Sequence, residues 1–239
     1  MLEIALSPSQ GLSKAEYKAL LVPLQSRLLE LQRQRWRNRL PSIALFEGWD
    51  TAGRGAVIRK LTERLEPRGF QLHTIRERRS SDLQLPWMAR FWRRLPAYGE
   101  IAIFDYSWYR RLFSDRAEKT VSRDVWEDRL RDVTAFEKAL VADRTPIVKF
   151  FLHISREEKR GRLERRSRNS LERWRVGKDA WRLQDLYDDY HRAIRETLQR
   201  THSALAPWTV IEASDTYGVR ILVLETLVRA LEGASGRFE

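Results

Sequence analysis

Gly48-Trp49-Asp50-Thr51-Ala52-Gly53-Arg54-Gly55 has the residue types and the spacing of a loop that wraps an anion. Glycines let the backbone turn sharply and aim consecutive N–H groups at a phosphate. The loop follows an apolar run, Ile43-Ala44-Leu45-Phe46, and precedes a helical pattern. A helix N-terminus there adds the positive end of its dipole. The glycine spacing is that of the P-loop, G-x-x-x-x-G-K-[ST]. Arg54 takes the lysine position and Gly55 the hydroxyl position. That hydroxyl ordinarily helps to hold Mg²⁺, and Asp50, inside the loop, is the carboxylate placed to replace it. The candidates are therefore Asp50 and Arg54 for chemistry, with Gly48, Thr51, Ala52, Gly53 and Gly55 as backbone contacts to phosphate. Taken by itself, the segment also reads as an ordinary strand-to-helix turn.

A second segment bears on that choice. Glu100-Ile101-Ala102-Ile103-Phe104-Asp105 is an apolar strand ending in an acid. Parallel strands buried on both faces read as continuous apolar runs, and in P-loop proteins a strand beside the loop delivers such an acid to Mg²⁺. Asp105 alone also fits a helix N-cap, because Tyr106-Ser107-Trp108-Tyr109 can open a helix. Loop and acid together, with Mg²⁺ held by Asp50 and Asp105, make nucleotide or polyphosphate chemistry the leading reading.

These residues need a scaffold, and the chain is long enough for one. Its 239 residues, 42% of them apolar, suffice for a single domain with one core. Cysteine is absent, which excludes disulfides, zinc–thiolate sites and cysteine nucleophiles. No apolar run approaches the roughly 18 residues of a membrane span. The segment Met1–Pro8 lacks the basic start and apolar length of a signal peptide, so a cytoplasmic location is the expectation. Lys plus Arg number 45 against 33 Asp plus Glu, a formal charge of +12. That sign fits nucleic acid, an anionic membrane or inorganic polyphosphate, and also a basic surface kept for solubility.

Strands and helices alternate along the sequence. Residues 14–38 pattern as an amphipathic helix carrying Leu20, Leu21, Leu24, Leu28, Leu29 and Leu31, ended by Pro41. Strands are expected at 42–47, 70–75, 100–105, 146–153 and 207–213. Helices are expected at 53–65, 87–95, 123–142, from the Ser155 N-cap onward, at 178–203, and at 216–232 with Gly233 as the stop. The alternation argues for an α/β three-layer sandwich, a central parallel sheet of about five strands with helices on both faces. In such sheets ligands bind beyond the carboxyl ends of the strands, where Gly48–Gly55 and Asp105 both fall. Residues 156–182 are densely basic. Such a run is usually a solvated helix face; in a phosphoryl-transfer enzyme it is also a helical lid, whose arginines close over phosphates and exclude water.

In these motifs the chain resembles the family-2 polyphosphate kinases, over about residues 14–232. Their loop of type G-x-D-x-x-G-K-G is met by Gly48–Gly55, and their motif of type D-R-S-W-Y by Asp105-Tyr106-Ser107-Trp108-Tyr109. Leu95–Ile101, Trp174-Arg175 followed by Asp179, Arg200-Thr201, Ala206-Pro207-Trp208, and Ala213 with Asp215 and Arg220 resemble further family segments. The resemblance implies a thymidylate-kinase-like fold and Mg²⁺-dependent phosphoryl transfer between inorganic polyphosphate and a nucleotide. It also implies a homodimer or homotetramer; no aromatic-basic recognition module or apolar span is visible, so no nucleic-acid or membrane partner is expected. Arg59, Arg76, Arg110 and Arg111 become candidate anion contacts, and Arg165, Arg166, Arg175 and Lys178 candidate lid residues. Pro86–Arg94 is closer to the half-domains of tandem AMP-directed members than to single-domain ADP-directed ones, which favours AMP over ADP as acceptor.

This chain departs from the pattern where Arg54 replaces lysine, Tyr106 replaces arginine, and Arg175 replaces lysine. Those departures keep a second reading open, an impaired homologue that binds polyphosphate or nucleotide as a regulator or partner subunit. An ATP-dependent nucleoside monophosphate kinase is a third. The four histidines have no metal-ligand spacing. Most of the nine tryptophans are expected in the core, with Trp49 and Trp108 as a pair that could flank a base.

Overall fold

Strands β2 (Ser42–Gly48), β4 (Ile101–Asp105) and β5 (Ile147–His153) are buried at every position except the last. That is why their inner positions are mostly apolar, with Glu47 and Lys149 as buried charged exceptions, and why their last residues are the ones partly open to solvent. They form the middle of a parallel sheet that also holds β1 (Ala5–Leu6), β3 (Phe70–Thr74) and β6 (Trp208–Glu212), in the order β1-β6-β5-β2-β4-β3. The computed structural model describes residues 5–8, 11–75, 84–176 and 178–235. The register sets Phe46 of β2 beside Asp105 of β4, and Gly48 beside Leu152 of β5. The loop and the acid thus leave neighbouring strands at one edge.

Helices pack around the sheet in two groups. One joins α1 (Lys14–Arg37), α2 (Arg54–Thr62) and α9 (Thr216–Ser235). The other joins α4 (Tyr109–Ala117), α5 (Arg123–Ala142) and α8 (Tyr187–Thr201). Short α3 spans Ala89–Trp92; the basic region supplies α6 (Arg156–Arg168), a 3-10 turn (Arg173–Arg175) and α7 (Lys178–Asp185). Ser13 and Glu16 form a capping box on α1, and Ser155 caps α6 through the Glu158 N–H.

The five expected strands are present, and the two-residue β1 adds a sixth that its length hid. The helix expected over 178–203 is two. Gln184, at the end of α7, bonds to Arg156 and Lys159 of α6, whereas Tyr187, at the start of α8, donates to the Ile154 carbonyl. The two pieces dock in different places, and the chain breaks at Leu186 between them. Gly233 does not stop α9, which runs to Ser235 because Leu231 and Ala234 on either side remain buried. The helix expected over 87–95 shrinks to α3. Of the tryptophans, Trp49, Trp108, Trp126 and Trp208 are core, while Trp36, Trp92, Trp174 and Trp181 are exposed. No helix among the described residues is long and apolar enough to cross a membrane.

One polar network lies inside this core. Lys149, in the middle of β5, is wholly buried. Its Nζ donates to Glu137 Oε2 (2.7 Å), to the Tyr109 hydroxyl (2.9 Å) and to the Thr201 carbonyl (3.0 Å). Glu137 Oε1 accepts in turn from Tyr109 (2.7 Å) and Trp108 Nε1 (3.1 Å). Burial pushes the Lys149 pKa down, against the pull of Glu137. The network anchors Trp108 and Tyr109, and so fixes where the chain following Asp105 enters α4. Removing one partner of a buried ion pair leaves an uncompensated charge, so Glu137→Ala is expected to cost about 3–5 kcal/mol in urea unfolding. Pairing Glu137→Met with Lys149→Met should cost much less than the sum of the single changes.

Candidate active site

The loop leaves β2 at Gly48, whose φ is +143°, and a Cβ there would sit 2.5 Å from the Leu152 carbonyl. Only glycine fits, so Gly48 lets β2 pack on β5 as the loop begins. Gly53 is left-handed (φ +91°) and opens α2. Ala52 N–H closes the loop's own turn onto the Trp49 carbonyl (2.9 Å), so this expected phosphate contact is already engaged. None of the described hydrogen bonds uses the N–H of Gly53, Arg54 or Gly55. These donors, at the positive end of the α2 dipole, make an anion site.

A cleft of about 950 Å³ opens over this edge, lined by Gly48, Asp50, Thr51, Gly53, Arg54, Gly55, Arg59, Tyr106 and Arg110 among others. A smaller one of about 450 Å³ shares Thr51, Gly53 and Arg166 with it and adds Arg165. Arg59 and Arg110 are thus among the residues lining a cleft. Arg111 is not: its Nε pairs with Asp115 (3.3 Å), and it lines neither cleft. Arg76 and the side chains of Arg175 and Lys178 lie outside the described residues.

Arg54 does not reach across the loop mouth. It is nearly buried; its Nε donates to Asp105 Oδ1 (3.0 Å), and its Nη1 donates to the carbonyls of Gly48 (2.7 Å) and Trp49 (3.1 Å). Burial opposes its charge, but Tyr106, Asp105 and Asp50 outweigh that and hold its pKa above the ordinary arginine value. Asp105 is therefore an ion-pair partner and not a helix cap. Tyr106 lies with its ring under the Arg54 guanidinium (3.6 Å) and beside that of Arg110 (4.3 Å), and its hydroxyl donates to Asp50 Oδ1 (2.5 Å).

Trp49 and Trp108 do not flank an open slot. Trp49 is stacked on Tyr187 (4.3 Å) and its Nε1 donates to His153 Nδ1 (3.4 Å). Trp108 packs edge-on against Phe91, Phe104 and Phe136. Both are structural; Trp49 ties the loop to α8.

Three further residues belong to the site and were passed over in the sequence. Glu47, just before Gly48, accepts the N–H and hydroxyl of Ser107, each at 2.7 Å. Burial pushes its pKa up to about 7, partly offset by those Ser107 bonds. Its signal was the one read at Asp105, an acid closing an apolar strand. Arg162 of α6 donates to the carbonyls of Thr51 (3.1 Å), Ala213 (2.7 Å) and Ser214 (3.2 Å) and to Glu158 (2.6 Å). It joins the basic segment to the loop, and nothing marked it among its arginine neighbours. Glu118 pairs across the cleft wall with Arg182 (2.8 Å).

A family model described as Polyphosphate kinase 2 (PPK2) matches residues 11–239. The chain belongs to the polyphosphate kinase 2 family. A relative from Pseudomonas syringae pv. tomato, named polyphosphate:AMP phosphotransferase, is 34% identical over 98% of this chain and 47% of its own length. A relative from Meiothermus ruber, named AMP/ADP-polyphosphate phosphotransferase, is 30% identical over 97% of this chain and 87% of its own. The crystal structure of polyphosphate kinase 2 from Arthrobacter aurescens TC1 superposes with a TM-score of 0.89 at 28% identity, covering 93% of this chain and 81% of that one. One assigned to polyphosphate kinase 2 from Pseudomonas aeruginosa PA01 gives 0.91 at 34% identity, covering 96% and 50%. This chain spans about half the length of the first, AMP-directed relative.

Two outcomes are expected of this polyphosphate kinase 2 site. The folded protein prefers Glu47 neutral, so its contribution to stability is intact below the unfolded pKa of 4.5 and is lost as pH rises through about 7. Glu47→Gln keeps an acceptor for Ser107 and should stabilise more at about pH 8 than at about pH 5, by up to about 3 kcal/mol. An equal effect at both pH values in thermal unfolding would refute this. Arg162→Ala leaves buried carbonyls without a donor and should cost about 1–3 kcal/mol, with faster limited proteolysis of residues 156–176. Arg162→Lys should recover only part, because an ammonium cannot reproduce the planar fork.

Proposed function

We propose that the chain transfers a phosphoryl group between inorganic polyphosphate and a nucleotide, with AMP preferred over ADP. The observation carrying this reading is the set of uncommitted N–H groups at Gly53–Gly55, next to a basic cleft lined by Asp50 and by Arg54, which is paired with Asp105. The preference for AMP is supported by the name of the first relative and by the Pro86–Arg94 segment.

The site has the donor chemistry for Mg²⁺. Asp50 and Asp105 each have one oxygen engaged, by Tyr106 and Arg54, and the second lies outside the described hydrogen bonds. Among the described residues no cluster of three or more metal-ligating side chains exists. Mg²⁺ needs none, because it keeps several waters and takes one or two carboxylates together with substrate phosphates. Bound there, it would neutralise charge on the transferring group.

The chain's own residues supply position. Loop N–H groups hold the polyphosphate end, and Arg59, Arg110 and Arg166 neutralise the rest of it. Asp50 orients the acceptor. The acceptor phosphate oxygen forms a bond to the terminal phosphorus as the phosphoanhydride bond breaks, and the shortened chain leaves with that electron pair. The acceptor is already ionised, so proton removal contributes little and positioning supplies most of the rate. Thr51, Ala52 and Gly48 shape the loop. Arg165, Arg166, Arg175 and Lys178 would close over the phosphates from the lid. A homodimer or homotetramer accompanies this reading by family resemblance.

The Arg54–Asp105 pair favours a second reading, a homologue that binds these ligands without turnover. Purified protein with long-chain polyphosphate, Mg²⁺ and AMP, ADP, GMP or GDP in separate reactions discriminates. Product formed by the native chain and reduced at least about a hundredfold in Asp105→Asn is expected. Polyphosphate binding without product would favour the second reading; transfer from ATP without polyphosphate would instead point to a nucleoside monophosphate kinase.

A further inference from the structure

Tyr106 is held in a conformation that a bulky side chain rarely adopts. Its φ is +63°, in the left-handed region. Such backbone persists only where surrounding contacts over-determine it, and here they do. The Tyr106 N–H donates to the Phe46 carbonyl (3.0 Å), the ring is gripped by two guanidiniums, and the hydroxyl is bonded to Asp50. One neutral side chain therefore touches the loop cation, the loop carboxylate and Arg110 together.

The consequences differ for ring and hydroxyl. The ring offers a π-face to Arg54 while Asp105 and two carbonyls take its N–H groups, which keeps a buried cation folded toward the strand ends and out of the loop mouth. It also contacts both Arg54 and Arg110. An arginine at position 106 would meet both as a like charge, whereas an ammonium at position 54 has no plane to lay on a ring. The hydroxyl does something else: it fixes one oxygen of Asp50, a loop residue, against the residue that follows β4.

We propose that Tyr106 is a positioning residue, its hydroxyl setting the Asp50 carboxylate and its ring holding Arg54 on Asp105, so that positions 54 and 106 work as one coupled unit. This rests on reading the site as a polyphosphate phosphotransfer centre.

The test uses Tyr106→Phe, Arg54→Lys, Tyr106→Arg and the double variant Arg54→Lys/Tyr106→Arg. Tyr106→Phe keeps the ring and removes only the hydroxyl. It should lower kcat about tenfold or more and raise the half-saturating Mg²⁺ severalfold, while the polyphosphate KM and the ligand-free thermal midpoint stay near native. A kcat and an Mg²⁺ requirement within about twofold of native would overturn the role of the hydroxyl. Arg54→Lys and Tyr106→Arg should each lower the ligand-free thermal midpoint, and the double variant should lie well above the value that additivity gives. Strict additivity would overturn the coupling. Because the midpoint is read without substrate, this arm decides even if the native chain transfers nothing to any acceptor. In that case it is the phosphotransfer reading that fails, and the hydroxyl's role is decided by the Mg²⁺ concentration that half-saturates thermal protection in the presence of polyphosphate: a higher value in Tyr106→Phe supports it, and an unchanged one overturns it.

Discussion

A cation buried at the carboxyl ends of β2 and β4 must be solvated by the protein itself, and the site is organised around meeting that demand for Arg54. A carboxylate, two carbonyls and an aromatic face replace the water it has lost. Each partner carries a structural consequence. Asp105 must end β4 level with Phe46, which the parallel register secures. Gly48 and Trp49 must turn their carbonyls inward, which leaves the N–H groups beyond Gly53 directed elsewhere. Tyr106 must adopt a left-handed backbone to bring its ring beneath the guanidinium. The loop is therefore preshaped by its cation from within, and the anion site is what remains uncommitted once that cation is satisfied.

The Lys149–Glu137 network serves the same edge from below. Trp108 and Tyr109 both donate to Glu137, so the residues immediately after Asp105-Tyr106-Ser107 are tied to α5 and β5. Ser107 is tied to Glu47 of β2. The segment from Asp105 to Tyr109 is thus held at each step by a buried polar contact, and none of these contacts needs substrate. A preorganised site of this kind costs no reorganisation when charge develops during reaction.

What the sequence disclosed follows from which signals are local. Apolar runs such as Ile43–Phe46 and Ile101–Phe104 declare buried parallel strands because both faces are covered, and glycine spacing declares the loop. The edge strand β1 is two residues long and has no pattern to read. The break at Leu186 arises because α7 and α8 find different tertiary partners, which periodicity along one chain does not encode. In the site, Asp50, Arg54 and Asp105 were legible as chemistry, yet the direction of Arg54 was not, since it depends on Tyr106, fifty-two positions later. Arg111 shows the opposite error: its type and place suggested an anion contact, and Asp115 one helical turn away claims it. Glu47 carried the same strand-end signal as Asp105, and its reach to Ser107 became visible only with β2 and β4 side by side.

The charge of +12 divides unevenly, and that division bears on how the basic segment can act. Arg156 is paired with Asp188, Arg160 with Glu164, and Arg182 with Glu118. Exposed pairs of this kind stabilise little, on the order of 0–1 kcal/mol, so their effect is geometric more than energetic. Arg162 and Arg182 fasten the two ends of the segment to the loop and to the end of α4, while Leu171 and Trp174 between them stand largely in solvent. A stretch pinned at both ends and apolar at its exposed middle can change its distance to the cleft only by bending within residues 169–176. Arg165 and Arg166 ride on α6 with Arg162 and already line the cleft, so bending at 169–176 would move the chain beyond them without releasing Arg162 from Thr51. The geometry at the loop would then survive the motion that completes it.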